Sequence, residues 1–111
     1  MQGLLRYRPP VLEVAETPAF SEARDLSLRG VAKFAPGGGK RRMVYVFRGR
    51  DKVFFRAAES QPQRPDSRRD EAALEFTTTI PLELGRNEMT VVAREGDESV
   101  ARTLFVVYRT R

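Results

Sequence analysis

Lys33, Lys40 and Lys52 are the only lysines of a sequence that contains no histidine and no cysteine, and this narrows its chemistry sharply. Without imidazole or thiol, the usual zinc and haem-iron ligands are missing, and so are Ser-His-Asp and Cys-His nucleophile pairs. A disulfide framework is excluded for the same reason. A Ser-Lys dyad remains formally open, but the three lysines sit in strand-end or turn contexts, without the apolar surroundings that bring a lysine pKa into the working range. Paired carboxylates could come from Asp25, Glu75 and Glu88. Each alternates with core-type residues and is expected to point to water.

Two loop motifs look chemical at first sight. Gly37-Gly38-Gly39-Lys40 resembles a phosphate loop superficially, but lacks the Walker spacing and a following helix; it reads as a turn. Asp97 and Glu98 stand beside Gly96, without the regular acidic spacing of a calcium loop. No catalytic residue, metal or cofactor is assigned, and the expectation is a non-enzymatic chain.

Two groups of residues survive as binding candidates. Tyr45, Phe47 and Phe54 form an aromatic set framed by Lys52 and Arg56, a combination common where proteins meet proteins or where sugars stack. Either these rings make a docking surface, or the long segment 57–73 or the N-terminal residues cover them. The second group is Arg64, Arg68 and Arg69, with Arg41 and Arg42 as possible additions; such a run is usually a solvated loop. The net charge of +5 favours anionic partners. Because opposite charges alternate along most of the chain and no RNA-type stacking platform is present, nucleic acid is the least favoured of them.

The elements that must carry these residues are strands. The length of 111 residues fits one domain, and no apolar run approaches the ~20 residues of a membrane span. Residues 1–10 end in Arg8-Pro9-Pro10 and read as a stiff linker from a preceding domain, with the folded domain over 11–111. Residues 11–14 alternate, and Thr17-Pro18 interrupts the pattern. From 25 to 34, Leu26, Leu28, Gly30, Ala32 and Phe34 fall on one face, with Gly30 marking a bulge or a close backbone approach.

The strongest local signal is a hairpin. Met43-Val44-Tyr45-Val46-Phe47 and Lys52-Val53-Phe54-Phe55-Arg56 flank a two-residue Gly49-Arg50 loop, glycine first, as a type II′ turn requires. That register sets Phe47 opposite Lys52, Tyr45 opposite Phe54 and Met43 opposite Arg56 on an outward face. Val44, Val46, Val53 and Phe55 are then expected to face the core. Segment 57–73 reads as a crossover between sheets, with a mobile tip. Leu74, Phe76, Thr78 and Ile80 share a face before Pro81. Gly85 and Asn87 form a turn with a side-chain cap, Met89, Val91 and Ala93 point inward, and residues 100–109 form the last strand. About seven antiparallel strands in this length make an all-β sandwich, with strand 43–47 expected at its centre.

The hairpin, the run Ile80-Pro81-Leu82-Glu83-Leu84-Gly85-Arg86-Asn87-Glu88-Met89-Thr90-Val91-Val92-Ala93-Arg94-Glu95 and the ending Leu104-Phe105-Val106-Val107-Tyr108-Arg109 resemble a bacterial immunoglobulin-like module of the glucodextranase domain B kind. The pattern is similar to the C-terminal domain of some carboxyl-terminal processing (tail-specific) serine proteases. The resemblance covers about residues 9–110 and implies an immunoglobulin-like β-sandwich serving as an accessory domain of an envelope protein that faces the periplasm. It implies upstream domains of the parent, or a protein or peptide, as partner. The glucodextranase likeness raises a polysaccharide as the alternative, held by Tyr45, Phe47 and Phe54. In such proteases the serine, its lysine and the PDZ domain lie upstream, so no catalytic residue is carried onto this chain. Arg48-Gly49-Arg50-Asp51 departs from the Asn-containing turn more usual there, so a ligand shared at that tip is not implied.

Overall fold

The computed structural model of the protein describes residues 10–34, 41–58, 72–96 and 99–111. Alternating apolar positions close these residues into two facing sheets. The elements are β1 (Val11–Val14), β2 (Phe20–Ser21), β3 (Asp25–Phe34), β4 (Arg42–Arg48), β5 (Asp51–Ala58), β6 (Ala72–Pro81), β7 (Gly85–Glu95) and β8 (Ser99–Arg109). One sheet has the order β1-β3-β6 and the other β2-β8-β7-β4-β5. The fold is a β-sandwich, as the alternation predicts. No helix among the described residues is long and apolar enough to cross a membrane.

The inward faces follow the sequence pattern closely. Leu26, Leu28, Ala32 and Phe34 of β3 and Leu74, Phe76 and Ile80 of β6 meet Val44 and Val46 of β4, Met89, Val91 and Ala93 of β7 and Val107 of β8 in one buried cluster. Burying a Leu, Ile, Val, Met or Phe side chain contributes roughly 1.5–3 kcal/mol, so this interior is what holds the two sheets together.

Three expectations change. A short eighth strand, β2, pairs with β8 in parallel through Phe20 opposite Tyr108 and Ser21 opposite Arg109, so the second sheet is not purely antiparallel. Two residues carry no legible periodicity, which is why this strand is silent in the sequence. The middle of the five-stranded sheet is β7, with β4 between it and β5. The crossover does join the two sheets, but β5 runs to Ala58 and β6 begins at Ala72, so regular pairing takes both ends of the expected loop. Its tip with Arg64, Arg68 and Arg69, the linker residues 1–9, the Gly37-Gly38-Gly39-Lys40 turn and Asp97 and Glu98 lie outside the described residues.

Two backbone features set the geometry near the candidate site. Gly49 has φ +61° and opens the Gly49-Arg50 loop, as the sequence requires, and its N–H donates to the Glu88 carbonyl at 2.8 Å. At the β6–β7 corner, Asn87 is buried among backbone polar groups. Its Oδ1 accepts from the Glu83 N–H at 2.9 Å. Its Nδ2 faces the carbonyls of Glu83, Gly85 and Val107 at 2.9, 3.1 and 3.2 Å. One side chain thus satisfies backbone groups that a turning chain would otherwise leave buried and unpaired.

Candidate functional site

The outward face of the five-stranded sheet is built by β4, β5, β7 and β8. On β4 it carries Met43, Tyr45 and Phe47, the residues alternating with buried Val44 and Val46. Strand β7 supplies Thr90, Val92 and Arg94, which stand opposite Phe47, Tyr45 and Met43 respectively. From β8 come Arg102 opposite Val92 and Leu104 opposite Thr90. Tyr45, Phe47, Thr90, Val92, Arg94 and Arg102 line one shallow depression together with Gly49.

The hairpin partner of β4 departs from the expected register. Phe47 does pair with Lys52, but the ladder shifts between Val46 and Phe47, so that Val46 pairs with Phe54, Tyr45 with Phe55, Val44 with Arg56 and Met43 with Ala57. Val53 is the extra residue of a β-bulge. The shift exchanges the roles of the two phenylalanines. Phe54, expected outward, packs against the core with its ring 6.1 Å from that of Phe76. Phe55, expected inward, is 45% exposed and lies 5.3 Å from the Tyr45 ring. Val53 and Phe54 both touch the core, a single apolar step longer than strict alternation allows.

Of the five predicted binding residues, the structure therefore brings together Tyr45, Phe47 and Lys52. The Tyr45 and Phe47 rings stack at 6.2 Å, and the Tyr45 hydroxyl reaches the Met43 sulfur at 3.3 Å. The Lys52 ammonium sits 4.9 Å from the Tyr45 ring and 5.2 Å from the Phe55 ring, within the range of cation–π attraction. Phe54 leaves this face and lies partly buried against the core. Arg56 is exposed on the edge strand opposite Val44, on the side of the sheet that Phe54 shares by alternation. Phe55 is the member that sequence reasoning missed. The run Val53-Phe54-Phe55 offers three consecutive apolar residues, and period two cannot say which of them is the extra one.

The second candidate group also divides. Arg41 is exposed, whereas Arg42 is buried. Its Nε donates to the Glu95 carboxylate at 3.0 Å, both side chains being 9% exposed, and its guanidinium lies 5.5 Å from the Phe34 ring. Arg42 and Glu95 are direct cross-strand partners on β4 and β7, so this arginine is held inside the sandwich and does not belong to a surface patch.

The carboxylates considered for chemistry do not converge. Asp25 begins β3, Glu75 lies on β6, and Glu88 is on β7, all exposed. Glu88 pairs with Arg86, and that contact, first as a hydrogen bond and then as charge attraction, raises the Arg86 pKa further above its already basic value. Lys33 is a surface residue paired with Glu13 at 3.5 Å. Arg48 donates to the Pro81 carbonyl at 2.6 Å and approaches Glu83 at 3.6 Å and Asp51 at 3.9 Å, tying the hairpin tip to the β6–β7 corner. No protein-family model and no curated protein sequence matches this chain.

Proposed function

We propose that the chain is a non-catalytic, immunoglobulin-like interaction domain of a larger bacterial envelope protein, one of the carboxyl-terminal processing serine protease kind, and that it docks a protein or peptide partner. The observation that carries this reading is the aromatic and cationic outer face of Tyr45, Phe47, Phe55 and Lys52 on the five-stranded sheet. Aromatic residues are enriched at protein–protein interfaces, and tyrosine is among the residues that dominate their hot spots.

The immunoglobulin-like assignment is supported by strand order. Strands β3 and β6 share one sheet while β4, β7 and β8 share the other, as strands B and E face C, F and G in that architecture, and β5 extends the second sheet beside β4. The periplasmic setting and the protease context rest on the family resemblance. A protein partner is favoured over a polysaccharide because the Lys52 ammonium lies against the rings of Tyr45 and Phe55 on which a sugar would stack, and because Phe54 is turned away.

The test is made in the parent protein. Deleting residues 9–111 should leave peptidase activity on an unstructured substrate intact while changing substrate choice, location or assembly. The double variant Tyr45→Ala with Phe55→Ala should reproduce that change, weakening the docked interaction by about ten-fold or more, with the domain still folded. An unaltered substrate profile, location and assembly in both variants would refute the reading. Retention on peptidoglycan or glucan that disappears with Tyr45→Ala would transfer the assignment to carbohydrate binding.

A further inference from the structure

The two edges of the five-stranded sheet are unequal. Strand β5 closes one side with a bulge at Val53 and with Lys52 and Arg56, devices that discourage another strand from pairing. On the other side β2 covers one end only of β8, a strand of eleven residues with no register shift anywhere along its pairing with β7. Among the described residues only Phe20 and Ser21 of β2 pair with its outer side, at Tyr108 and Arg109.

The direction of the free backbone groups follows from the bonds already made. The Tyr108 and Thr110 N–H groups donate outward, to the carbonyls of Ala19 and Ser21 at 2.8 and 2.9 Å. The Val107 carbonyl points the other way, toward β7, where Asn87 Nδ2 reaches it at 3.2 Å. Backbone groups alternate sides along a strand. Hence Val100, Arg102, Leu104 and Val106 turn their N–H and C=O groups to the open edge. Leu104 on this edge is 73% exposed, the most exposed large apolar side chain described.

We propose that this edge pairs with the β8 strand of a second copy of the chain, antiparallel about a two-fold axis at Thr103, joining two five-stranded sheets into one. The free stretch is bounded by the start of β8 at Ser99 and by β2 at Tyr108. A second β8 centred on Thr103 fills it end to end, with Ser99 of each copy beside Val107 of the other. Val100 then exchanges both ladder bonds with Val106 of the second copy, and Arg102 does so with its Leu104. Neighbouring centres fail for physical reasons. An axis at Arg102 sets two guanidinium groups directly opposite each other, a destabilising cross-strand pair. An axis at Leu104 runs the second strand into Phe20. The contact is isologous and closes as a dimer. Being small, it belongs to the weak, concentration-dependent class of interfaces.

Sedimentation equilibrium of the isolated chain between about 10 μM and 1 mM should show a mass rising from 12.6 kDa toward twice that value. Over the same range, amide exchange should slow at Val100, Arg102, Leu104 and Val106, and stay unchanged at Thr103, whose N–H already faces β7. Leu104→Pro removes an outward N–H that the fold does not use, so it should stay folded and remain monomeric at 1 mM. Thr103→Cys should form a disulfide-linked dimer under mild oxidation about ten-fold faster than Arg102→Cys or Leu104→Cys, because only residue 103 faces its own copy at a spacing a disulfide tolerates. A monomer throughout the range would overturn the proposal. So would amides at 100–106 already protected at 10 μM, which would mean that the chain itself covers the edge. Equal cross-linking at all three cysteines would overturn the register.

Discussion

Replacing Glu95 by alanine is expected to lower the stability of the domain by about 3–5 kcal/mol, because it strips the carboxylate from a guanidinium that stays buried. For a chain of 111 residues this amounts to a fall in Tm of roughly 15–25 °C. The pair is nearly buried on both sides and bridges β4 to β7 directly, so solvent compensates for the loss of Glu95 far less than it would at the surface. The complementary substitution separates this mechanism from simple loss of packing. Arg42→Met combined with Glu95→Leu should recover most of the lost stability, since exchanging a buried ion pair for apolar residues of similar volume is often neutral or stabilising. Thermal and urea unfolding of the two variants beside the parent sequence checks both statements. A double variant as unstable as Glu95→Ala would show that the position tolerates no change for reasons other than charge.

The second large effect is expected at Gly30. It lies in the middle of β3, paired with Val14 on one side and Phe76 on the other. A Cβ placed there would come within 2.6 Å of the Glu13 carbonyl oxygen and 2.6 Å of the Phe76 ring. The ring could shift, but the carbonyl belongs to the β1 backbone and can move only by peeling β1 from the sheet. Gly30→Ala should cost about 3 kcal/mol and Gly30→Val more, enough for the valine variant to approach the whole stability of a typical small domain. Urea unfolding gives the first number. Loss of protection at the β1–β3 amides while β4, β7 and β8 stay protected would locate the damage. A Gly30→Val protein with unaltered stability would contradict the close approach.

Much of this fold is legible in the sequence because a half-buried strand advertises itself by period two. Leu26, Leu28, Ala32 and Phe34, and likewise Met89, Val91 and Ala93, are inward as the alternation says. Of the two readings of Gly30, a bulge or a close approach, the structure shows the close approach with no register shift, and Asn87 read as a turn cap also holds, since each residue type answers a specific steric or hydrogen-bonding demand. What stays hidden is what alternation cannot encode. A bulge adds one residue without a composition signal, so Phe54 and Phe55 are interchanged. Arg42 adjoins a basic turn in the sequence, and only the cross-strand register reveals Glu95 as its partner. For the same reason the candidate site is half legible. Tyr45, Phe47 and Lys52 follow from the hairpin, while Phe55 and the contributions of β7 and β8 depend on how strands distant in sequence come to lie side by side.

The claim on which the aromatic docking face depends is that the bulge sends Phe54 into the sandwich and Phe55 out of it. Side-chain NMR of the isolated domain in the presence of a soluble paramagnetic agent measures this directly. The Phe55 ring protons should broaden together with those of Lys52, while the Phe54 ring stays sharp and shows cross-relaxation with Phe76. A sharp Phe55 ring contacting the core, beside a broadened Phe54, would contradict the account and restore an unbulged hairpin.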